Sequence, residues 1–494
     1  MNLPSKGSLK QNNTEGNHLR QWASFLTPWP FLPVMGQKIL GSGRADKIRL
    51  SKRLDKNHQQ TSGCCEAVKQ NFLPKNPEPC YGTFMNDRQS RLHYGWIILL
   101  VGFIGVMGAL GFGRFAYTPI LPSMKEGLSL TYAQMGWIGT GNFVGYLVFS
   151  LLGGYLATRI GSRVVISISL VLVAVSLILT GLSDSFEFAL AMRLLTGAGS
   201  AGSNVPIMAL ASAWFAASRR GMASGILVSG SSIALFLLGP LIPFIQLSFP
   251  GSGWRVCWYA LGILTFFIAI VNYLFIRNRP EEKSLKPIGE SSFPPSPSAA
   301  FSWSGLYSSR SLWHLAGVFF TFGFSYIIYI QFFSAFLVNE AKLSPGKAGN
   351  YLMLLGILSV FCGPIWGTVS DFIGRKYGLA LVLLTQGTSY LLFGLMKSDS
   401  GYLISTILFG LTAWSVPSII AAAVGDAVGA RLAPAALGFT ILIFGAGQAL
   451  APPVAGEIAD ITGSFTPAFI LSAVVAFTGV VAALRLAPLG QKQS

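Results

Sequence analysis

The sequence predicts an all-α membrane protein with about twelve transmembrane helices, arranged in two halves of six. Hydrophobic residues make up 52% of the chain and charged residues only 11%, whereas a soluble domain carries about 25% charged residues. The apolar residues also come in blocks of about 20, the length a helix needs to cross a ~30 Å hydrocarbon core. Lipid offers no partners for backbone N–H and C=O groups, so such spans must be helical.

The predicted spans fall into two sets of six. The first set is residues 94–121, 132–156, 164–182, 186–213, 220–248 and 254–276. The second set is residues 313–339, 346–370, 377–396, 400–424, 434–458 and 465–486. These sets define an N-terminal half (93–276) and a C-terminal half (313–486), with a tail at 487–494. The linker between them, residues 277–312, is charged and then rich in Pro and Ser, so it is not expected to pack a core.

Residues 1–92 differ in kind from the rest of the chain. They are polar, basic and without periodicity, which is typical of a disordered tail. Met85 opens a short basic leader that runs directly into the first span. Met85 is therefore an alternative start, and residues 1–84 need not be translated.

The formal net charge of +17 is distributed as in a membrane protein. If the N-terminus is cytoplasmic, 14 of the Lys and Arg residues after position 92 lie in cytoplasmic segments, 5 outside and 2 within spans. This is the positive-inside bias. It predicts a multi-pass protein of the cell membrane (inner or plasma membrane) with both termini in the cytoplasm, and it accounts for the charge without a nucleic-acid partner.

An internal repeat links the loops after the second and the eighth predicted spans. Glycines and basic residues recur at a constant offset of 213 positions. The first copy contains Gly154, Thr158, Gly161 and Arg163, and the second contains Gly367, Asp371, Gly374, Arg375 and Lys376. Unrelated loops would rarely keep this register, which indicates that the two halves arose by duplication.

The repeated loop resembles the major facilitator superfamily motif G-x-x-x-D-R-x-G-R-[RK]. The second copy matches well, whereas the first has Thr158 where the family has aspartate. Arg193, Gly197 and Gly199 match the family's R-x-x-x-G-x-G in helix 4. The opening of span 1, HYGWIILLVG followed by GFGRFAYTPILP, is similar to monocarboxylate and oxalate/formate carriers and to a bacterial branch without a settled substrate.

The resemblance covers residues 93–486 and implies the fold, the cavity and the gates. It implies alternating access around a central cavity lined by helices 1, 4, 7 and 10. It also implies that the repeated loops act as conformational gates. In the family, the motif aspartate contacts the N-terminal end of a helix in the opposite half, so Asp371 is expected near Arg219 and Arg220.

Charged residues within the spans point to the solute. Arg114 and Arg193 are the two cations away from the ends of the predicted spans, and the middle of every span lacks Asp and Glu. Charges inside a bilayer are costly and mark functional sites by default. Two guanidinium groups without a central carboxylate favour an anion over a cationic amine. The alternatives are that Arg114 snorkels to the outer interface and that Arg193 only holds helices together.

Polar and aromatic residues on two cavity-lining spans complete the candidate site. They are Tyr326, Tyr329 and Gln331 in span 7 and Trp414 in span 10. Amphipathic aromatic side chains can hold both an apolar body and a polar group. Packing or lipid-facing positions are the alternative for each of them.

No cofactor or metal is predicted. Gly197, Gly199 and Gly202 satisfy G-x-G-x-x-G, but they lie inside an apolar span with no strand before them, which indicates helix packing. The scattered His and Cys residues lack metal-ligand spacing, and neither an enzyme motif nor a Walker motif is present.

The leading hypothesis is therefore a monomeric secondary active transporter in the lipid bilayer, moving a small organic anion with a coupled ion or counter-substrate. Drug efflux is the alternative within transporters, and a non-transporting sensor or scaffold is the more distant one.

Overall fold

The computed structural model describes residues 93–289 and 309–486. The predictions for the tails and for most of the linker lie outside these residues. The described chain is almost entirely helical, and its one β contact is an isolated bridge between Phe215 and Ile288. Eleven of its helices are long and apolar enough to cross a membrane. A twelfth long helix, Phe186–Trp214, carries Glu187 and Arg193 and completes the predicted set.

The twelve helices follow the predicted order closely. We number them α1 (Tyr94–Leu128), α2 (Tyr132–Ile160), α3 (Ser162–Gly181), α4 (Phe186–Trp214), α5 (Ala217–Ser248), α6 (Gly253–Phe275), α7 (Arg310–Glu340), α8 (Pro345–Ile373), α9 (Arg375–Leu395), α10 (Asp399–Val428), α11 (Ala435–Thr462) and α12 (Thr466–Leu484). The fold class predicted from the sequence is confirmed. We call the membrane side on which α1 begins the proximal side and the other the distal side.

One predicted loop is helical. The sequence predicted a break between residues 424 and 434, but the helical backbone runs without interruption from Ser415 to Thr462, through the end of α10 and all of α11. This segment is rich in alanine, the residue with the highest helix propensity. The actual irregularity lies inside α10, where a turn separates Asp399–Gly410 from Ser415.

Helix α1 contains a π-helical segment, Met107–Phe115, in its middle. Its glycines let neighbouring helices approach closely: a Cβ at Gly111 would overlap Ala234 of α5. Ser200 of α4 donates a hydrogen bond of 2.6 Å from its Oγ to the carbonyl of Ala109 within this segment. π-helical turns are rare and often mark functional sites. This turn positions Arg114, its second-last residue.

Among the described residues, the hydrogen bonds between the two halves lie in the middle of the helix bundle and at its distal end. At the distal end, the Asp460 carboxylate accepts bonds of 2.8 Å from the backbone N–H groups of Tyr132 and Ala133, which open α2. Further in, the Thr140 hydroxyl donates to the carbonyl of Ala449 at 2.7 Å. Towards the proximal ends, Gly425 of α10 and Gly438 of α11 have open space around them. The structure is therefore closed on its distal side.

The first part of the linker is packed, although its composition predicted no packed structure. The carbonyl of Trp214 accepts a bond from Ile288 N at 2.9 Å, and the carbonyl of Ile288 accepts one from Ala216 N at 3.0 Å. The Ile288 side chain lies against Gly95 at the start of α1. These contacts fix the linker beneath the first half as far as Gly289.

Candidate functional site

A small cavity lies between the halves, about 10 Å inside the distal ends of α2 and α4 at 1.5 Å per residue. It is narrow, with a volume of about 10 Å³, roughly the room that one water molecule needs. Its walls come from α1, α2, α4 and α7: Arg114, Phe115, Tyr117, Thr118, Gly139, Asn142, Phe143, Arg193, Ile327, Ile330 and Gln331. Both predicted arginines therefore line one cavity, together with the predicted Gln331.

Arg114 is held by α2 and keeps a free donor. Its Nε donates to Asn142 Oδ1 at 3.1 Å. Its Cζ lies 4.5 Å from the ring centre of Tyr146 and 4.8 Å from that of Phe143, at cation–π distance. Its Nη2 is buried without a hydrogen-bond partner among the described residues. Arg114 thus lies inside the bundle, and the alternative in which it snorkels to the outer interface does not fit.

Arg193 directs two of its guanidinium nitrogens, Nη1 and Nη2, at backbone carbonyls of α1. Its side chain is buried between Tyr117 and Trp258, with Cζ 5.2 and 5.3 Å from their ring centres. Its Nη1 donates to the carbonyl of Gly113 at 2.6 Å, and its Nη2 lies 3.5 Å from the carbonyl of Arg114. Both acceptors are in or beside the π-helical turn. Arg193 therefore braces the turn that carries Arg114, and its Nε is its one buried donor without a partner among the described residues.

Four unpartnered donors belong to residues that line this cavity. Among the described residues, each of these four atoms is buried without a hydrogen-bond partner: Arg114 Nη2, Asn142 Nδ2, Arg193 Nε and Gln331 Nε2. Buried donors are almost always satisfied in folded proteins. No carboxylate is among the lining residues. The cavity can therefore accept a group that offers several acceptor atoms and a negative charge.

Tyr326 and Trp414 border this cavity without lining it. The Tyr326 hydroxyl accepts a hydrogen bond from Gln448, and its ring is edge-on to Trp414 at 5.9 Å. The Trp414 indole N–H donates to Ser232 Oγ at 3.0 Å, across the two halves. Its ring lies 5.4 Å from that of the cavity residue Phe115. Trp414 therefore forms part of the contact between the halves next to the cavity.

Tyr329 lies elsewhere. Its hydroxyl pairs with Ser405 at 2.9 Å, and its ring packs 4.5 Å from Phe409 and 4.8 Å from Phe393. These residues form the core of the second half, so the structure places Tyr329 away from the cavity. Asn142 and Phe143 are cavity residues that the predicted site omitted. The only sequence signal for them was an asparagine inside an apolar span.

The repeated loops have matching backbones. Gly161 and Gly374 both have positive φ, 91° and 93°, a conformation that L side chains rarely adopt. This explains why glycine stands at corresponding positions in both copies. The flanking Gly154 and Gly367 are loosely packed: Gly154 has only Val205 of its own half nearby, and Gly367 has open space.

The polar side chains of these loops contact their own halves. Arg163 Nε donates to the carbonyl of Tyr273 at 2.6 Å, and Thr158 Oγ1 donates to the carbonyl of Tyr155. Within the described chain, the ion pair of Asp371 is with Arg375, four residues on. Arg375 in turn contacts Asp426 at 3.0 Å. The predicted approach of Asp371 to the start of α5 is not seen in this distal-closed structure. Lys376 lies over the ring of Tyr377 at 4.8 Å.

Twelve helices in two related halves with a polar cavity between them define a membrane transporter of the major facilitator type. The model of the family described as "Uncharacterised MFS-type transporter YbfB" matches residues 106–484. The chain belongs to this family of MFS-type transporters and is not an enzyme. The resemblance stated from the sequence motifs is confirmed.

Curated relatives are transporters of the same superfamily. The chain is 23% identical over 400 residues to a hexuronate transporter of Bacillus subtilis, covering 79% of this chain and 93% of that protein. It is 25% identical over 391 residues to human monocarboxylate transporter 2, covering 75% and 81%. A probable sulfoacetate transporter of Cupriavidus necator is 23% identical over 392 residues, covering 74% and 88%.

Solved structures show the same fold. A bacterial homologue of the human lysosomal transporter Spinster, solved inward-facing and occupied, aligns with a TM-score of 0.62 at 16% identity. The alignment covers 79% of this chain and 95% of that one. The unoccupied inward-facing structure aligns with a TM-score of 0.61. At this identity the likeness concerns the fold alone.

Proposed function

We propose that this protein carries a small organic anion across the cell membrane by alternating access, as a monomer, coupled to an ion or a counter-substrate. The observation that carries the proposal is the set of four unpartnered donors in a cavity without a carboxylate. A carboxylate or sulfonate offers the acceptor atoms and the charge that such donors require.

The relatives support an anionic solute. Three of them are named as transporters of hexuronate, monocarboxylate and, as a probable one, sulfoacetate. All three are organic anions at neutral pH. The apolar lining residues Phe115, Phe143, Ile327 and Ile330 would contact the carbon body of such a solute.

The charge distribution supports an orientation. Basic residues lie mainly on the proximal side, for example Arg159, Arg163 and Arg219. By the positive-inside rule, the proximal side is cytoplasmic and the distal side is external. The distal-closed structure is then an inward-facing state.

The test is transport by purified protein in proteoliposomes. We expect saturable uptake of at least one of radiolabelled galacturonate, lactate and sulfoacetate, with competition by the other anions and none by a hydrophobic cation such as tetraphenylphosphonium. A preparation that is folded, takes up none of the anions and expels apolar dyes would replace this proposal with drug efflux.

A further inference from the structure

Gln331 of α7 extends across the boundary between the two halves. Its side chain is buried and lies against Gly139 of α2, so closely that a Cβ at position 139 would overlap the Gln331 amide. The missing side chain at Gly139 is therefore what lets this amide reach the cavity wall of the first half. Its Nε2 is one of the four cavity donors without a partner among the described residues.

Gln331 is also the polar contribution of the second half to this cavity. That half supplies three of the lining residues, Ile327, Ile330 and Gln331, and the first two are apolar. Arg114, Asn142 and Arg193 all belong to the first half. Among the described lining residues, Gln331 is therefore the one side chain of the second half that can hydrogen-bond to a molecule in this cavity.

We propose that Gln331 couples anion binding to closure of the distal side, by donating to the same anion that Arg114 holds from the opposite half. This rests on the proposed function. The two donors face one cavity only while the distal ends are packed together, because they are carried by different halves. A ligand shifts a conformational equilibrium by the difference in its affinity for the two states. An anion that bridges Arg114 and Gln331 therefore favours the distal-closed state.

The proposed coupling requires hydrogen-bond acceptors on the solute. The solute must accept hydrogen bonds from both Arg114 and Gln331, as the oxygens of a carboxylate or sulfonate can. An anion that reaches Arg114 but not Gln331 would bind the first half and leave the equilibrium between the halves unchanged.

The experiment separates binding from closure. The full chain carries two labels on the distal side, at Glu126→Cys in the first half and Lys397→Cys in the second, with the native cysteines replaced. Both positions are exposed. Galacturonate, lactate and sulfoacetate are titrated while the distance between the labels and the bound anion are measured. Without substitution at Gln331, we expect the bound anion to shorten the mean distance between the labels.

Gln331→Met keeps the length of the side chain and removes the donor. Losing a hydrogen bond to a charged group weakens binding by about tenfold or more. We therefore expect weaker binding, and no change of distance even when the site is saturated. Gly139→Ala should have the same effect, because it displaces the amide without altering Gln331. The control for this second variant is Gly317→Ala in α7, where the space around the glycine is open.

Gln386→Met is the matched control for Gln331→Met. Gln386 is fully buried and donates to the carbonyl of Thr412 at 2.9 Å within the second half, away from the cavity. It should cost stability and leave anion-induced closure intact. Full closure by the saturated Gln331→Met protein, or equal loss in both Met variants, would overturn the coupling proposal alone. Failure of every anion to bind the unsubstituted protein would overturn the proposed function and the coupling with it.

Discussion

Replacing Arg114 and Arg193 by lysine, one at a time, distinguishes a residue that binds the anion from one that holds the π-helical turn in place. Lysine keeps the positive charge but offers one compact ammonium in place of a planar fork of donors. At position 114, this removes the geometry in which Nε donates to Asn142 Oδ1 while Nη2 stays without a partner among the described residues. At position 193, it removes the pair of contacts to the carbonyls of Gly113 and Arg114. The same chemical change therefore removes different contacts at the two positions.

The magnitudes follow from these contacts. A hydrogen bond to a charged group is worth about 1.5–3 kcal/mol, and 1.4 kcal/mol is a factor of ten in affinity. Arg114→Lys should therefore raise the half-saturation concentration for the anion about tenfold or more, with little change in folded yield. Arg193→Lys leaves carbonyls of the π-helical turn without a partner inside the bundle. Its main effect should be a lower yield and a lower thermal midpoint.

The assay is concentration-dependent uptake, normalised to folded protein in the membrane, together with thermal unfolding of both variants. The ratio of the two effects is the informative quantity. An unchanged half-saturation in both variants would refute an anion site at Arg114 and favour an uncharged solute. A large affinity loss in Arg193→Lys at normal stability would show instead that Arg193 binds the anion directly.

The remaining predictions concern the gates and the tail. Asp460→Asn should shift the protein towards a distal-open state by up to about fivefold, because a charge at a helix N-terminus contributes 0.3–1 kcal/mol; accessibility of distal thiols measures the shift. Glu340→Gln is its control, since Glu340 caps α12 within one half through Ser464 and Phe465 N, and an equal shift there would contradict the assignment. Asp371→Asn should change the same equilibrium more than Thr158→Ala, because only Asp371 is charged; equal shifts in thiol accessibility would count against this. A chain starting at Met85 should insert and transport like the full chain, and loss of membrane insertion would show that the tail is required.

Helix number and order could be predicted because each span must contain its own run of apolar residues. The loop glycines could be predicted for a similar reason, since the positive φ at Gly161 and Gly374 restricts both positions to glycine. The prediction of a loop between α10 and α11 failed because the end of an apolar run does not require the helix to end. A short polar interruption marks the membrane boundary, but an alanine-rich segment can stay helical beyond it.

The site could be predicted only in part. A charge inside a span is visible in the sequence, and the two arginines found in this way, Arg114 and Arg193, both line the cavity. The direction in which α7 faces is not visible, because this helix is apolar nearly all round and lacks a polar stripe. Tyr326 and Tyr329 are therefore indistinguishable in sequence, although one borders the cavity and the other packs in a core. The π-helical turn that positions Arg114 depends on contacts with α4 and α5, which no local pattern encodes.

The two halves contribute unequally to this cavity, although they share a common repeat. Both guanidinium groups and Asn142 come from the first half, while the second half supplies Gln331 and apolar side chains. Because most donors move together with the first half, an anion can remain bound there while the second half changes position. The first half then provides most of the affinity for the anion, whereas the second half, through Gln331, makes closure depend on whether the anion is bound. The same division separates the two classes of variants: substitutions at Arg114 should weaken binding in every state, whereas those at Gln331 should weaken it chiefly in the distal-closed state.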